Sequence, residues 1–494
     1  MSEFIDIDSL LAQLTYDPAE PMIFSSGLFL WLFVAFSLIY LLMRRTTTLR
    51  LLFVVAFSYY FYYKSSGFYF WLLAVVTLSD YLLARQIQRL ATPWKRKACL
   101  SLGIAIDIGL LGYFKYTHFL IDCWNSLTGG TFSAADIFLP VGISFFTFQS
   151  MSYTIDVYRR QITPLNSLLD YAFYVSFFPQ LVAGPIVRAR DFLPQIRKPL
   201  LVTSDMLGRA VYLISAGLLK KAVISDYISL NFVDRVFENP GLYSGVENLL
   251  GVYGYALQIY CDFSGYSDMA IGLALLMGFH FNDNFRSPYK SSSVTEFWRR
   301  WHISLSSWLR DYLYISLGGN RHGRFRQYLN LMITMLLGGL WHGASWNFVL
   351  WGGLHGLALV VHKLWRQLLG HGRDYCSRGW RRAVGVLLTF HFVCLCWVFF
   401  RQRHVDQAVD MLGRIVHDFH IELLPQFVSA YPAVIALMVI GYVVHLLPER
   451  VEQAAIRRVQ LMPLFYQIAL IVIAILCVIQ TKSAGIQPFI YFQF

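Results

Sequence analysis

An all-α protein that crosses a lipid bilayer many times is the fold class this sequence predicts, on three observations. Of its 494 residues 56% are hydrophobic and only 14% charged, whereas soluble domains hold near a quarter charged. Residues 24–43 and 459–481 carry no Asp, Glu, Lys or Arg, and each run is long enough to cross a hydrocarbon core of about 30 Å. Neither run shows the period-two alternation of a membrane barrel. Helices, which satisfy their own backbone groups in lipid, are what remains.

In chain order, residues 1–21 stand apart: they hold Glu3, Asp6, Asp8, Asp17 and Glu20 and no Lys or Arg. They lack the basic start of a signal peptide and read as a solvated acidic extension, so that a chain beginning at Met22 is expected to insert and work. Residues 22–494 read as one transmembrane domain. Its apolar stretches fall at about 22–43, 50–63, 67–84, 98–114, 139–157, 168–184, 206–232, 246–279, 326–341, 344–363, 382–400, 428–447 and 463–481; several are too short or too polar to cross alone, giving roughly eleven spans plus re-entrant and interfacial helices. The loops around Arg44/Arg45/Arg50, Arg85/Arg89/Lys95/Arg96/Lys97, Arg159/Arg160 and Lys363/Arg366/Arg373/Arg378/Arg381/Arg382 read as cytoplasmic, which puts the N-terminus outside. Alternation would then put Arg188/Arg190/Arg197/Lys198 outside as well, so either "FFPQLVAGP" is re-entrant or the span count is off. The net charge of +12 belongs to these loops, and no nucleic-acid partner is implied.

The largest polar interruption, 286–326, reads as a basic cytoplasmic segment at the membrane surface. Phe297, Trp301, Trp308 and Tyr312 recur at helical spacing, with Arg299, Arg300 and Arg310 elsewhere on the wheel. A Trp-rich basic helix of this kind lies well among lipid headgroups. "GGNRHG" (318–323) follows as a loop. Val405, Val409, Leu412, Val416 and Phe419 mark a second amphipathic helix, to which no chemistry is attached.

Chemistry concentrates in 326–363, read as a helical hairpin. Residues 326–341 span about 24 Å as helix, which carries His342 to a turn deep in the membrane. An ionisable side chain at that depth is costly and tends to be kept for a task. Gly338, Gly339 and Gly343 strip side chains from around it and open room for backbone or a ligand. A buried imidazole suits taking a proton from a hydroxyl that attacks an activated acyl group, and nearby basic loops suit an anionic acyl thioester. The competing reading is a hydrogen-bonded packing histidine, which we assign to His355, His391 and His445. Asp262, Ser264, Tyr266 and Asp268 form a polar island fit to line a channel or to tie helices, and Asn347 joins that channel-lining set. Arg321, His322, Arg299 and Arg300 are the candidate phosphate contacts. Asp311 is expected to pair with Arg310 or a neighbouring helix. The seven cysteines show no metal spacing and read as small buried hydrophobes; no metal site is expected.

"PQLVAGPIVR" (179–188), "DFSGYSDMAIGLALLMGF" (262–279), "FRSPYKSSSVTEFWRRWHISLSSWLRDYLY" (285–314), "GGLWHGASWNFVLWG" (338–352) and the terminal "FIYFQF" resemble the membrane-bound O-acyltransferase family, most closely its bacterial branch of alginate O-acetyltransferases and related polysaccharide acetylases. The resemblance runs from about residue 22 to the end, in one order. It implies a ring of helices around a thinned centre where a cytoplasmic donor and an extracytoplasmic acceptor meet. It puts the family's near-invariant histidine on His342, as general base or acyl relay, and its second characteristic histidine on His302, in donor positioning or proton handling. It further implies acetyl-CoA as donor substrate with no permanently bound cofactor, a polysaccharide acceptor, an extracytoplasmic serine-hydrolase-like partner, and residence in the bacterial cytoplasmic membrane. A D-alanyl transferase of teichoic acid modification, taking its acyl group from a carrier protein, is similar in the same motifs. A transporter with a histidine proton relay is the different-class alternative, disfavoured because no internal repeat is visible.

Overall fold

The computed structural model describes residues 12–18, 20–370, 372, 377–481 and 490, and among them every regular element is helical. Length and apolarity single out five helices fit to cross a membrane: Thr47–Arg89, Pro93–Thr128, Trp346–Leu368, Gly379–Arg401 and Leu464–Thr481. The pair Ile421–Ala430 and Pro432–Leu446, bent by 100°, makes a sixth if taken together. The remaining segments expected to span are shorter, such as Gly27–Leu42, or carry charges, such as Gly245–Leu276. The described residues fold into two compact units, one holding those up to Ile214 with Met269–Asn282 and Ile490, the other Ser215–Asp268 and those from Asp283 to Thr481.

In the first unit, α1 (Phe70–Arg89), α2 (Pro93–Leu111) and α3 (Ile143–Tyr158) pack on one another. Asp80 of α1 and Asp107 of α2 are buried in this trio, and the Ser150 hydroxyl of α3 donates to Asp80. The segment expected to be re-entrant is a four-residue helix, Phe178–Leu181, followed by irregular buried backbone. Its Phe178 ring packs against Phe36, Phe57 and Phe61 at 5.1–5.9 Å, aromatic contacts that hold a non-helical stretch inside protein, where lipid would not tolerate it.

Residues 12–18 are docked and not wholly solvated as expected. Tyr60 Oη donates to the Leu14 carbonyl at 3.1 Å, the Tyr16 amide donates to Tyr63 Oη at 3.3 Å, and Lys64 Nζ donates to the Thr15 carbonyl. The Thr15 carbonyl thus gives the buried Lys64 ammonium a hydrogen-bond partner. Residues 1–11 and 19 lie outside the described residues, as does the terminal "FIYFQF" apart from the buried Ile490.

In the second unit, α4 (Gly245–Leu276, up to Asp268), α5 (Val294–Arg300), α6 (Ile303–Trp308), α7 (Gly323–His342), α8 (Trp346–Leu368) and α9 (Gly379–Arg401) position the candidate site. The hairpin α7–α8 has a glycine seam. A Cβ added at Gly339 would lie 2.2 Å from the Phe348 carbonyl oxygen, and one at Gly352 2.3 Å from that of Met335. The two backbones therefore touch, as small residues allow when there is no hydrophobic drive between helices in lipid. The room opened by these glycines is filled by backbone, and at Gly343 by the Phe348 ring, 2.0 Å from where a Cβ would stand.

The single basic amphipathic helix expected from Thr295 onward is broken. α5 ends at Arg300, His302 takes a left-handed conformation (φ 42°, ψ 57°), α6 begins at Ile303, and Leu309–Tyr314 winds as a π-helix. Phe297, Trp301, Trp308 and Tyr312 are all buried, so this aromatic face packs into protein and not into lipid headgroups.

Candidate active site

His342 is the last residue of α7, where the helix stops for the short 343–345 connector to α8. Its ring is 2% exposed as a residue and stands 5.0 Å from Trp341, 5.0 Å from Trp351 and 5.2 Å from Phe400, close to perpendicular to the first two. The glycine seam behind it fixes α7 against α8. What the sequence reading called open room is a tightly built aromatic box.

His302 is buried at the α5–α6 break. Its Nδ1 is 3.2 Å from Asn284 Oδ1, an oxygen that also accepts from the Ser304 amide at 3.1 Å and the Ser304 hydroxyl at 2.9 Å. Phe263 packs edge-on to its ring at 4.5 Å, and Trp341 lies 6.0 Å away. Trp341 thus flanks both candidate histidines. A non-glycine residue at positive φ is uncommon and strained, and such strain tends to gather at working sites.

A third histidine, read from sequence as packing, extends the array. His355 lies 4.8 Å from Trp351 and 5.2 Å from Trp298, ring to ring. The indole Nε1 of Trp298 donates to its Nδ1 at 3.3 Å. Indole is a donor only, so His355 carries its proton on Nε2. Trp298 in turn lines a cleft of about 440 Å³ whose walls include Ile303, Leu309, Leu331, Met335 and Leu359 and whose cations are Arg299, Arg310 and Lys363. Ring contacts therefore run without a break from Trp298 at this cleft through His355 and Trp351 to His342.

The other candidates are placed as follows. Arg299 lines the cleft. Arg300 does not: it is tied to Glu296 at 3.1 Å and Glu449 at 3.3 Å, because three acidic and basic groups meet where α5 ends. Arg321 and His322 are exposed in the glycine loop, outside the cleft lining; that loop is pinned by Asn330 Nδ2, which donates to the Leu317 and Gly319 carbonyls at 3.1 Å each. Asp262 is ion-paired with Lys221, which also holds Asp226 at 2.8 Å, and Asp268 pairs with Lys220 at 2.6 Å. These carboxylates tie α4 to the π-helical Leu219–Ser225, which neutralises charges that would be costly to bury alone; Asp262 is buried, while Asp268 keeps 20% of its side chain exposed. Ser264 and Tyr266 are buried beside them. Asn347 Nδ2 donates to the Gln402 carbonyl at 2.6 Å, fastening the start of α8 to the residue after α9. Arg310 and Asp311 pair at 2.7 Å. His445 accepts from the Tyr289 amide at 3.1 Å, and His391 meets Tyr253 Oη at 2.9 Å. Among the described residues no group of three or more His, Cys, Asp or Glu is placed to hold a metal ion.

Asn284 was missed. It sits 18 residues before His302, and nothing in "FNDNF" marks it apart from its closeness to the basic segment.

Fold and site together define a multi-pass, all-helical membrane protein with histidines boxed by aromatic rings. The membrane-bound O-acyltransferase family model matches residues 26–401; the chain belongs to that family and is an O-acyltransferase. It is 42% identical over 347 residues to a probable alginate O-acetylase AlgI of Pseudomonas putida, covering 69% of this chain and 70% of that protein. It is 37% identical over 363 residues to a peptidoglycan O-acetyltransferase of Helicobacter pylori, covering 68% of each. A teichoic acid D-alanyltransferase of Bacillus subtilis is 28% identical over 274 residues, covering 53% of this chain and 68% of the other.

Proposed function

We propose that this enzyme takes an acetyl group from cytoplasmic acetyl-CoA and passes it across the bacterial cytoplasmic membrane toward hydroxyls of an exported polysaccharide, by way of an extracytoplasmic serine-hydrolase-like partner. The observation that carries the reading is the pairing, in one compact unit, of His342 in its aromatic box with an apolar cleft rimmed by cations. Arg299 and Lys363 suit the phosphates of a CoA thioester, and the apolar walls suit its uncharged arm. His342 accepts the proton of the attacking hydroxyl as the hydroxyl oxygen bonds to the thioester carbonyl carbon; the carbon–sulfur bond then breaks and the imidazolium returns the proton to the departing thiolate. Relatives that acetylate alginate or peptidoglycan, at 42% and 37% identity, favour acetyl over D-alanyl transfer, whose named relative stands at 28%.

The test is transfer of labelled acetyl from acetyl-CoA by the purified enzyme in liposomes, with donor inside and polymer outside. His342→Ala is expected to lose about 10²-fold or more in rate while its melting temperature stays near wild type, and polymer acetylation is expected only when the partner is added. Full activity of His342→Ala ends the mechanism. Use of D-alanyl carrier protein in place of acetyl-CoA reassigns the donor, and efficient acetylation without a partner removes the relay.

A further inference from the structure

We infer that Asn284 is the positioning residue that sets the working tautomer of His302, keeping its proton on Nδ1 and its lone pair on Nε2; the kinetic side of this rests on the reading that His302 serves acyl transfer. One donor at this turn is unambiguous. The Ser304 main-chain N–H lies 3.1 Å from the Asn284 side chain, so the atom it meets must be the amide oxygen, and the orientation of this amide is fixed by the main chain. The other end agrees, since Asn284 Nδ2 donates to Ser267 Oγ at 3.2 Å. An amide oxygen accepts and never donates. His302 Nδ1, 3.2 Å from it, must therefore carry the proton. Ser304 Oγ, 3.4 Å from Nδ1, spends its own proton on Asn284, and so toward the imidazole it too is an acceptor.

Asn284 grips the same turn through its backbone. Its carbonyl accepts from the Ile303 amide at 2.9 Å, and two residues on the Arg286 amide donates to the Arg300 carbonyl at 2.9 Å. These two bonds bracket His302 and hold its left-handed backbone, at φ 42°, against the strain of that conformation. Both side chains are almost wholly buried, Asn284 at 1% and His302 at 0% exposure, so water does not compete for the bond. The rings of Phe263, Phe285 and Trp341 pack around the imidazole, surroundings that favour the neutral form. A neutral imidazole has one N–H, and with that on Nδ1 the base atom is Nε2. An asparagine does this without adding charge; an aspartate would orient the ring equally and also make it more basic.

Nitrogen-15 solid-state NMR of the full-length enzyme in lipid bilayers, labelled at histidine, reads the tautomer without any turnover. The His302 signals are identified by their loss in His302→Gln, and His355, held with the proton on Nε2, supplies the opposite reference. The expected result is a protonated Nδ1 and an unprotonated Nε2 at His302 in the wild type and in Asn284→Asp, and loss of that preference in Asn284→Ala. Asn284→Ala is expected to lower kcat by roughly 10-fold, less than the loss at His342, whose general-base role is worth about 10²-fold or more, with KM unchanged. Asn284→Asp should recover most of that rate with its pH profile displaced upward. A proton on Nε2 of His302 in the wild type overturns the inference, as does an unaltered tautomer in Asn284→Ala. Undiminished transfer by His302→Gln, with the tautomer as stated, overturns instead the underlying role of His302 and the kinetic half with it.

Discussion

Gly352→Ala is a one-carbon change that should disable the enzyme from a position that touches neither candidate histidine through its own side chain. The added Cβ would stand 2.3 Å from the Met335 carbonyl oxygen and 3.1 Å from its carbonyl carbon. Ordinary contact begins near 3.4 Å, and a helix carbonyl cannot swing aside without losing its own hydrogen bond, so α7 and α8 must part by about 1 Å. Overpacking of this kind costs about 1–3 kcal/mol. The larger effect is on rate: His342 ends α7 while Trp351, part of its box, lies on α8, and a displacement near 1 Å at a reacting group costs about 10²-fold. Gly353→Ala, one residue on, is the control. Its Cβ meets only Leu336 Cδ2 at 3.6 Å, and it gains up to about 1 kcal/mol of helix propensity. Acetyl transfer and thermal unfolding of the two purified variants decide the matter. Equal activity and equal melting temperatures for Gly352→Ala and Gly353→Ala would show that the seam has slack and that the box does not depend on it.

Three further outcomes follow. Lys221→Met leaves Asp226 and Asp262 facing a buried space without their cation, and unfolding should show a loss of about 3–5 kcal/mol, largely restored when both aspartates are also made Asn. Glu296, outside the spans, is pushed up by burial, but bonds from the Ser292 amide and hydroxyl and the charges of Arg382 and Arg300 outweigh this and hold it below its ordinary 4.5. Its ionised form therefore adds stability that is fully present above about pH 4.5 and lost as pH falls through the lowered value; the melting-temperature gap between wild type and Glu296→Gln should close below pH 4.5, and a constant gap refutes the linkage. A cysteine at Asn320, in a background cleared of accessible native cysteines, should resist an impermeant thiol reagent in intact cells and react once the membrane is opened, whereas labelling from outside would invert the assigned topology.

Much of this molecule is legible in its sequence, and the illegible part has a common cause. Helicity and membrane residence follow from local composition, and the long motifs around His302 and His342 carried the family. The aromatic spacing from Phe297 to Tyr312 suits one continuous helix, and only the bonds from Asn284 reveal that the chain turns at His302. Those bonds join residues 18 to 20 apart in an irregular stretch, where no periodicity exists to read. The pairing of Asp262 with Lys221 and of Asp268 with Lys220 was not legible, because the lysines stand more than 40 residues earlier inside an apolar run. The glycines near His342 announced a close approach, but a sequence does not say whether helix or ligand makes it.

The lysine–aspartate ties between the π-helical Leu219–Ser225 and α4 bear on how the protein is made. Synthesis delivers Lys220 and Lys221 well before Asp262 and Asp268 exist. Asp226 emerges almost at once and can neutralise Lys221 locally, whereas the ion pair of Lys220 forms with the later Asp268. On the expectation that residues 206–232 span, a lysine at the middle of a membrane helix costs about 2.5–3.5 kcal/mol on the insertion scale, enough to keep this segment from settling alone. Residues 204–276 are then best committed to the bilayer as a delivered set, with the earlier helix held at the insertion machinery until its counter-charges arrive. Truncating the nascent chain before residue 268 should leave that helix extractable by alkali, and extending it past that point should lock it in.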